Sequence, residues 1–137
     1  MKSRFSLLIA LVCLVGCSSL TSHQNPTVDL KQFKRFYVEH RLTDDHGLDH
    51  MIVNDLKRRG YEAACGPLTM MPDNTQVLVV YEDRWNWDFK SYLIELDIKF
   101  RDARKEKLIA FGTLHHPSPV AKEPATMIHQ VLNSFFK

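Results

Sequence analysis

The chain has 137 residues, of which 18 are basic, 16 are acidic and 45% are hydrophobic. This length accommodates one domain of ordinary size and is too short for two. Lys2 and Arg4 lie before an apolar run, and without them the remaining 16 basic side chains equal the 16 acidic ones. A nearly neutral domain lacks the basic surface of a nucleic-acid-binding protein, so we expect no nucleic-acid partner.

The amino terminus has the layout of a secretory signal, with two basic residues followed by the mostly apolar residues 5–15. This run is shorter than the roughly 20 apolar residues that a membrane-spanning helix needs. It ends in Leu14-Val15-Gly16-Cys17, which resembles a bacterial lipobox. The resemblance implies cleavage after Gly16 and lipidation of Cys17, which then becomes the first mature residue.

The lipobox divides the chain into three parts. Residues 1–16 are the predicted signal peptide, residues 17–29 are the lipidated end and a polar, flexible tether, and residues 30–137 form a single domain. Ser18 resembles the residue that follows the lipidated cysteine in lipoproteins passed on to the outer membrane. We therefore expect an outer-membrane anchor with the domain facing the periplasm.

Three cysteines are present, and none of them has an expected disulfide partner. Cys13 leaves with the signal, Cys17 is modified, and Cys65 is left alone. The sequence therefore predicts a fold held by its apolar core, with no cofactor beyond the covalent lipid on Cys17.

The first half of the domain predicts strands around one clear helix. Residues 33–41 mix aromatic, β-branched and charged side chains, as a first strand does. Capping residues at 43–45 begin a predicted helix with one apolar face, and Gly60 ends it. Residues 61–64 form a predicted short strand. Residues 77–81 are an apolar run typical of a central strand.

The second half predicts a long hairpin and a last helix. In residues 92–101 the apolar side chains alternate with mostly charged ones, so we expect one apolar face; its members are Tyr92, Ile94, Leu96, Ile98 and Phe100. Residues 108–115 return as the hairpin partner, and we expect Ile109 and Phe111 to face the core because they are large. Pro124 begins a second amphipathic helix.

This order predicts an α+β two-layer sandwich, a mainly antiparallel sheet with two helices on one face. The helix end at Gly60-Tyr61, the strand at 77–81 and the run at 108–112 resemble a group of small uncharacterised bacterial lipoproteins with a β-α-β-β-β-α periplasmic domain. The layout is also similar to periplasmic lipoproteins that act as auxiliary subunits of lipid transport or outer-membrane assembly. No functional residues come with either resemblance.

A tryptophan-rich turn is the candidate binding surface. Trp85, Trp87 and Phe89 lie within five residues of one another between two predicted strands. Such rings could stack on sugars, enter a bilayer interface or form a protein contact. The alternative is that both tryptophans point the same way and close one end of the core.

His46 and His50 are four residues apart and could chelate zinc or copper from one helix face. Gly47 occupies the place of the glutamate that a zinc protease would carry, and spacing identifies no third ligand. We therefore predict no metal site. The sequence also lacks a nucleophile elbow and a phosphate loop, so we predict that the protein is not an enzyme.

Together these features predict a lipid-anchored, non-enzymatic binding or assembly accessory of the cell envelope. Its expected partners are the membrane, through the anchor, and an envelope protein; the oligomeric state stays open. One alternative is an auxiliary subunit of an envelope transport or outer-membrane assembly complex. Another is a metal-binding protein or metal-dependent hydrolase that uses His46 and His50.

Overall fold

The computed structural model describes residues 18–117 and 121–137, so Cys17 and the rest of the predicted lipobox lie outside it. It contains six strands and two helices: β1 (Ser19–Gln24), β2 (Arg35–Glu39), α1 (Leu48–Arg58), β3 (Glu62–Gly66), β4 (Val77–Asp88), β5 (Lys90–Asp102), β6 (Leu108–His115) and α2 (Pro124–Asn133). Short 3₁₀ helices lie at Leu30–Gln32 and Leu68–Met70.

All six strands form one sheet in the order β1-β6-β5-β4-β2-β3. The ladders are antiparallel except those of β2, which pairs in parallel with β3 and with β4. Helix α1 contacts β2 and β3, helix α2 contacts β5 and β6, and the helices contact each other. The predicted α+β sandwich, with a mainly antiparallel sheet, is therefore confirmed.

Helix α1 forms where its apolar residues recur at helical spacing. Leu48, Ile52 and Leu56 are completely buried against the sheet. Gly60 adopts φ +96°, the left-handed conformation that ends a helix at low steric cost. The prediction of this helix is confirmed, although it begins three residues after the predicted caps.

A buried carboxylate joins the two helices. Asp55 of α1 is 1% exposed and accepts hydrogen bonds from Arg59 Nε at 2.6 Å and from His129 Nδ1 of α2 at 2.9 Å. Arg59 also donates to Asn133 Oδ1 of α2 at 2.8 Å. Because both charges are largely removed from water, each depends on the other for compensation.

The predicted flexible tether is wrong for residues 19–24, which form strand β1. This strand pairs with β6 from Ser19↔His115 to Gln24↔Ala110. Its side chains are mostly exposed, so the sequence of this strand has no apolar pattern that would predict it. Edge strands gain their stability from backbone hydrogen bonds to the neighbour, which polar residues make equally well.

The predicted alternation in β5 fails near its beginning. Arg84 pairs with Glu95 and Trp85 pairs with Leu93, so Ile94 is an extra residue with no partner on β4. This β-bulge reverses the side-chain parity. Leu93 is therefore completely buried and Ile94 only partly so, contrary to the prediction.

The predicted parity of β6 is also wrong for Phe111. Ala110 is completely buried and Gly112 faces α2, whereas Phe111 is only partly buried. A Cβ atom on Gly112 would lie 2.9 Å from Val131 Cγ1. Small residues face inward here because the helix approaches the sheet so closely. Ile109 is buried, as predicted.

Candidate functional site

The β4–β5 hairpin extends beyond its neighbours in the sheet. Pairing of β4 with β2 ends at Val79, and pairing of β5 with β6 ends at Glu95. Beyond these positions two strands continue alone to the Asp88↔Lys90 pair. We call residues 85–90 the hairpin tip.

Two large aromatic side chains of the hairpin tip lie in solvent. Trp87 is 76% exposed and Phe89 is 96% exposed. Phe89 is the turn residue and adopts φ +62°, a left-handed conformation that costs a residue with a Cβ about 1–2 kcal/mol. A strained, exposed phenylalanine contributes nothing to the core, so packing within the domain does not explain its position.

Trp85 has a different environment from Trp87. Its ring stacks on His46 with centroids 3.7 Å apart and planes 12° apart, and it packs against the core. Its Nε1 donates to Asp83 Oδ2 at 2.6 Å, and Asp83 Oδ1 accepts from Arg41 at 2.7 Å. Each predicted alternative therefore applies to one tryptophan. Trp85 packs against the core at the base of the hairpin tip, and Trp87 is exposed and could make contacts.

The loop that carries His46 is held by one buried carboxylate. Asp44 accepts from the backbone N–H groups of His46, Gly47 and Leu48 at 2.9, 3.0 and 2.8 Å, and from Tyr81 Oη at 2.7 Å. Burial acts to raise the pKa of Asp44. The hydrogen bonds, above all that from Tyr81, outweigh burial and leave this pKa below its ordinary value.

The histidines that the sequence suggested as a chelating pair have separate surroundings. His46 lies in the loop before α1 against Trp85, whereas His50 lies in α1 beside Cys65 of β3, with Nδ1 3.6 Å from Sγ. Asp49 completes a group whose possible ligand atoms all lie within 4.8 Å of one another. We call Asp49, His50 and Cys65 the thiol cluster.

The thiol cluster is partly shielded from water and has negative character. Asp49 is 2% exposed, its Oδ1 accepts from the His50 N–H at 2.8 Å, and its Oδ2 lies 2.9 Å from His40 Nδ1. Burial and the Asp49 charge raise the pKa of Cys65 to about 11. Sequence reasoning missed this group because the parallel pairing of β2 with β3, which places Cys65 beside α1, leaves no local signal.

No family model matches the sequence, and no curated protein is significantly similar to it. The fold is similar to that of the PelC dodecamer from Paraburkholderia phytofirmans, with TM-score 0.64 and 12% identity over 88% of this chain and 98% of PelC. A variant PelC dodecamer from the same organism gives TM-score 0.65. At these identities the likeness concerns the fold alone.

Two other solved structures are more distant. A PDZ domain protein from Parabacteroides distasonis matches with TM-score 0.51 and 9% identity, over 86% of this chain and 35% of that protein. A minor lipoprotein from Acinetobacter baumannii matches with TM-score 0.32, too low to compare the folds. In the part of the chain that the structure describes, none of the helices has the length and hydrophobicity to cross a membrane.

Proposed function

We propose that this protein is a non-enzymatic accessory of the cell envelope, anchored in the outer membrane by a lipid on Cys17, and that its hairpin tip rests on the same bilayer. The lipobox supports the anchor. The observation that carries the proposal is that the amino-terminal end of β1, which follows Cys17 in the chain, lies at the same end of the sheet as the hairpin tip.

The strand register gives this placement. Ser19 lies level with His115, His115 with Glu95, and Glu95 with Arg84. From Arg84 the hairpin continues for four residues in the same direction, which is about 13 Å at the rise of a β-strand. Cys17 is two residues before Ser19, so the chain allows at most about 7 Å between their Cα atoms. A bilayer that held a lipid on Cys17 would therefore lie within reach of the tip.

The chemistry of the tip suits a membrane surface. Tryptophan is enriched where bilayers meet water, because its ring is apolar while its N–H prefers polar surroundings. Trp87 presents such a ring, and Phe89 adds an apolar one at the very end of the hairpin. A lipid and a pair of rings would together fix how the domain stands on the membrane.

Tryptophan fluorescence tests the contact, since the chain has two tryptophans. The full chain, produced with its own signal and purified in detergent, is reconstituted into phospholipid vesicles with or without brominated acyl chains. In Trp85→Phe the remaining Trp87 is expected to be quenched strongly by the brominated lipid. In Trp87→Phe the remaining Trp85 is expected to be quenched weakly, because it packs on the domain.

Equal emission of Trp87 in the two vesicle types would contradict the membrane contact. The anchor is tested separately by the mass of the mature amino-terminal peptide and by labelled palmitate. Both should report lipid on Cys17 in the wild type and none in Cys17→Ser. A wild type without lipid that fractionates as Cys17→Ser does would remove the basis of the proposal.

A second candidate function is assembly of several copies in the envelope. PelC, whose chain is covered almost completely by this fold, forms a dodecamer. Light scattering of the detergent-solubilised protein should then give several chain masses, and cross-linking in intact cells should join copies of this chain. A single chain mass at every concentration, with cross-links to a different protein, would instead favour an auxiliary subunit of an envelope complex.

A further inference from the structure

We propose that Asp49, His50 and Cys65 form a zinc-binding site. This site shares His50 with the histidine pair considered from the sequence but does not use His46, and it does not depend on the membrane contact of the hairpin tip. The three residues supply one oxygen, one nitrogen and one sulfur ligand, a combination that Zn²⁺ accepts readily. Among the described residues they are the one group of three that could hold an ion.

The spacing of two ligand atoms matches tetrahedral zinc. With Zn–S and Zn–N distances near 2.3 and 2.0–2.1 Å, a tetrahedral angle separates sulfur from nitrogen by about 3.6 Å. Cys65 Sγ and His50 Nδ1 are 3.6 Å apart. The carboxylate of Asp49 supplies an oxygen within 4.8 Å of both atoms as the third ligand.

Hydrogen bonds preorganise the Asp49 carboxylate as a metal ligand. Asp49 is buried, and His40 Nδ1 contacts its Oδ2, so the orientation of the carboxylate is fixed before an ion arrives. Oδ2 accepts from His40 and Oδ1 from the His50 N–H, and the carboxylate also accepts from the Cys65 thiol, a hydrogen bond that a metal would replace. A buried carboxylate beside a thiol favours a cation electrostatically.

Binding requires no redox partner. Zn²⁺ displaces the thiol proton of Cys65 to solvent and binds the resulting thiolate, while His50 binds through neutral Nδ1. Cys65 is the one cysteine among residues 18–117 and 121–137, and its thiol is free to bind a metal. The exposed position of His50 leaves the fourth coordination position open to water.

Metal binding by the full chain tests the site directly. The purified protein is stripped with a chelator, loaded with Zn²⁺, dialysed and measured for metal content. We expect one zinc per wild-type chain and none above background in Cys65→Ser and in His50→Ala. Cobalt in place of zinc should give a thiolate-to-cobalt charge-transfer absorption that Cys65→Ser lacks. His40→Ala should weaken zinc binding about 10–100-fold, because His40 orients a ligand without contacting the ion.

His46→Ala is the matched control and should keep its zinc. Loss of zinc in both His46→Ala and His50→Ala, with retention in Cys65→Ser, would overturn the proposal in favour of the histidine pair. Maleimide labelling of Cys65, read by mass spectrometry, supplies a test in the wild type that no folding defect affects. Zinc should slow the labelling at least tenfold, and a chelator should restore it; unchanged labelling would also overturn the proposal.

Discussion

Replacement of Asp44 by alanine is expected to destabilise the protein by about 3 kcal/mol. The carboxylate accepts hydrogen bonds from three backbone N–H groups at the start of α1 and from the hydroxyl of Tyr81. Loss of a capping acceptor costs about 1–2 kcal/mol. Tyr81 is 1% exposed, and a buried hydroxyl that loses its acceptor costs about 1–3 kcal/mol more. The two contributions together give the expected size.

Urea unfolding of Asp44→Ala measures this loss, and Asp45→Ala is its matched control. Asp45 is exposed, so its replacement should change the free energy of unfolding by less than about 0.5 kcal/mol. A double-mutant cycle with Tyr81→Phe should give a coupling of about 1 kcal/mol or more, because the two side chains share one hydrogen bond. Equal stabilities of Asp44→Ala and Asp45→Ala would refute the reasoning.

The contribution of Asp44 to the free energy of unfolding should also depend on pH. The pKa of Asp44 is lower in the folded protein than in the unfolded chain, so the folded state favours the charged carboxylate. Its contribution is complete above the unfolded value near 3.9 and disappears as pH falls through the lower folded value. The stability difference between wild type and Asp44→Asn should therefore narrow below about pH 4. A difference that widens in acid would contradict the hydrogen-bonding account.

Three further predictions concern other parts of the fold. Gly112→Ala should lower the free energy of unfolding by about 1–3 kcal/mol in urea titrations, because the new methyl group would collide with α2. Asp55→Ala should cost about 3 kcal/mol in the same assay, since it leaves the Arg59 charge buried without its partner, whereas Arg58→Ala on the exposed side should cost under 1 kcal/mol. Phe89→Gly should raise stability by about 0.5–1 kcal/mol, because it relieves the positive φ, and should weaken vesicle binding of the unlipidated Cys17→Ser chain. A less stable Phe89→Gly protein would show that the turn is unstrained.

Local patterns predicted most of the fold because burial imposes them. Helix α1 and its glycine stop, the proline start of α2 and the central strand β4 all follow from apolar spacing and backbone preferences. The predictions that were wrong concern positions whose structure is set by contacts with distant parts of the chain. Gly112 faces inward because α2 lies against it, and the β-bulge at Ile94 reverses a parity that alternation alone predicts to continue.

The candidate sites divide in the same way. The aromatic turn could be selected from the sequence because two tryptophans and a phenylalanine so close together are conspicuous. Which ring is exposed could not be predicted, since the contact of Trp85 with His46 joins residues 39 positions apart in the chain. The thiol cluster depends on the pairing of β2 with β3, so the sequence around Cys65 could not predict that Asp49 and His50 lie beside it.

Strand β1 has a mechanical consequence for the anchor that we propose on Cys17. Six residues of β1 pair with β6, beginning at Ser19. Hydrogen bonds in an antiparallel ladder lie perpendicular to the strands, so traction along β1 shears all of them at once instead of opening them one by one. A force transmitted from the membrane would therefore be shared by all the hydrogen bonds between β1 and β6. The ladder would then resist the detachment of β1 from the sheet.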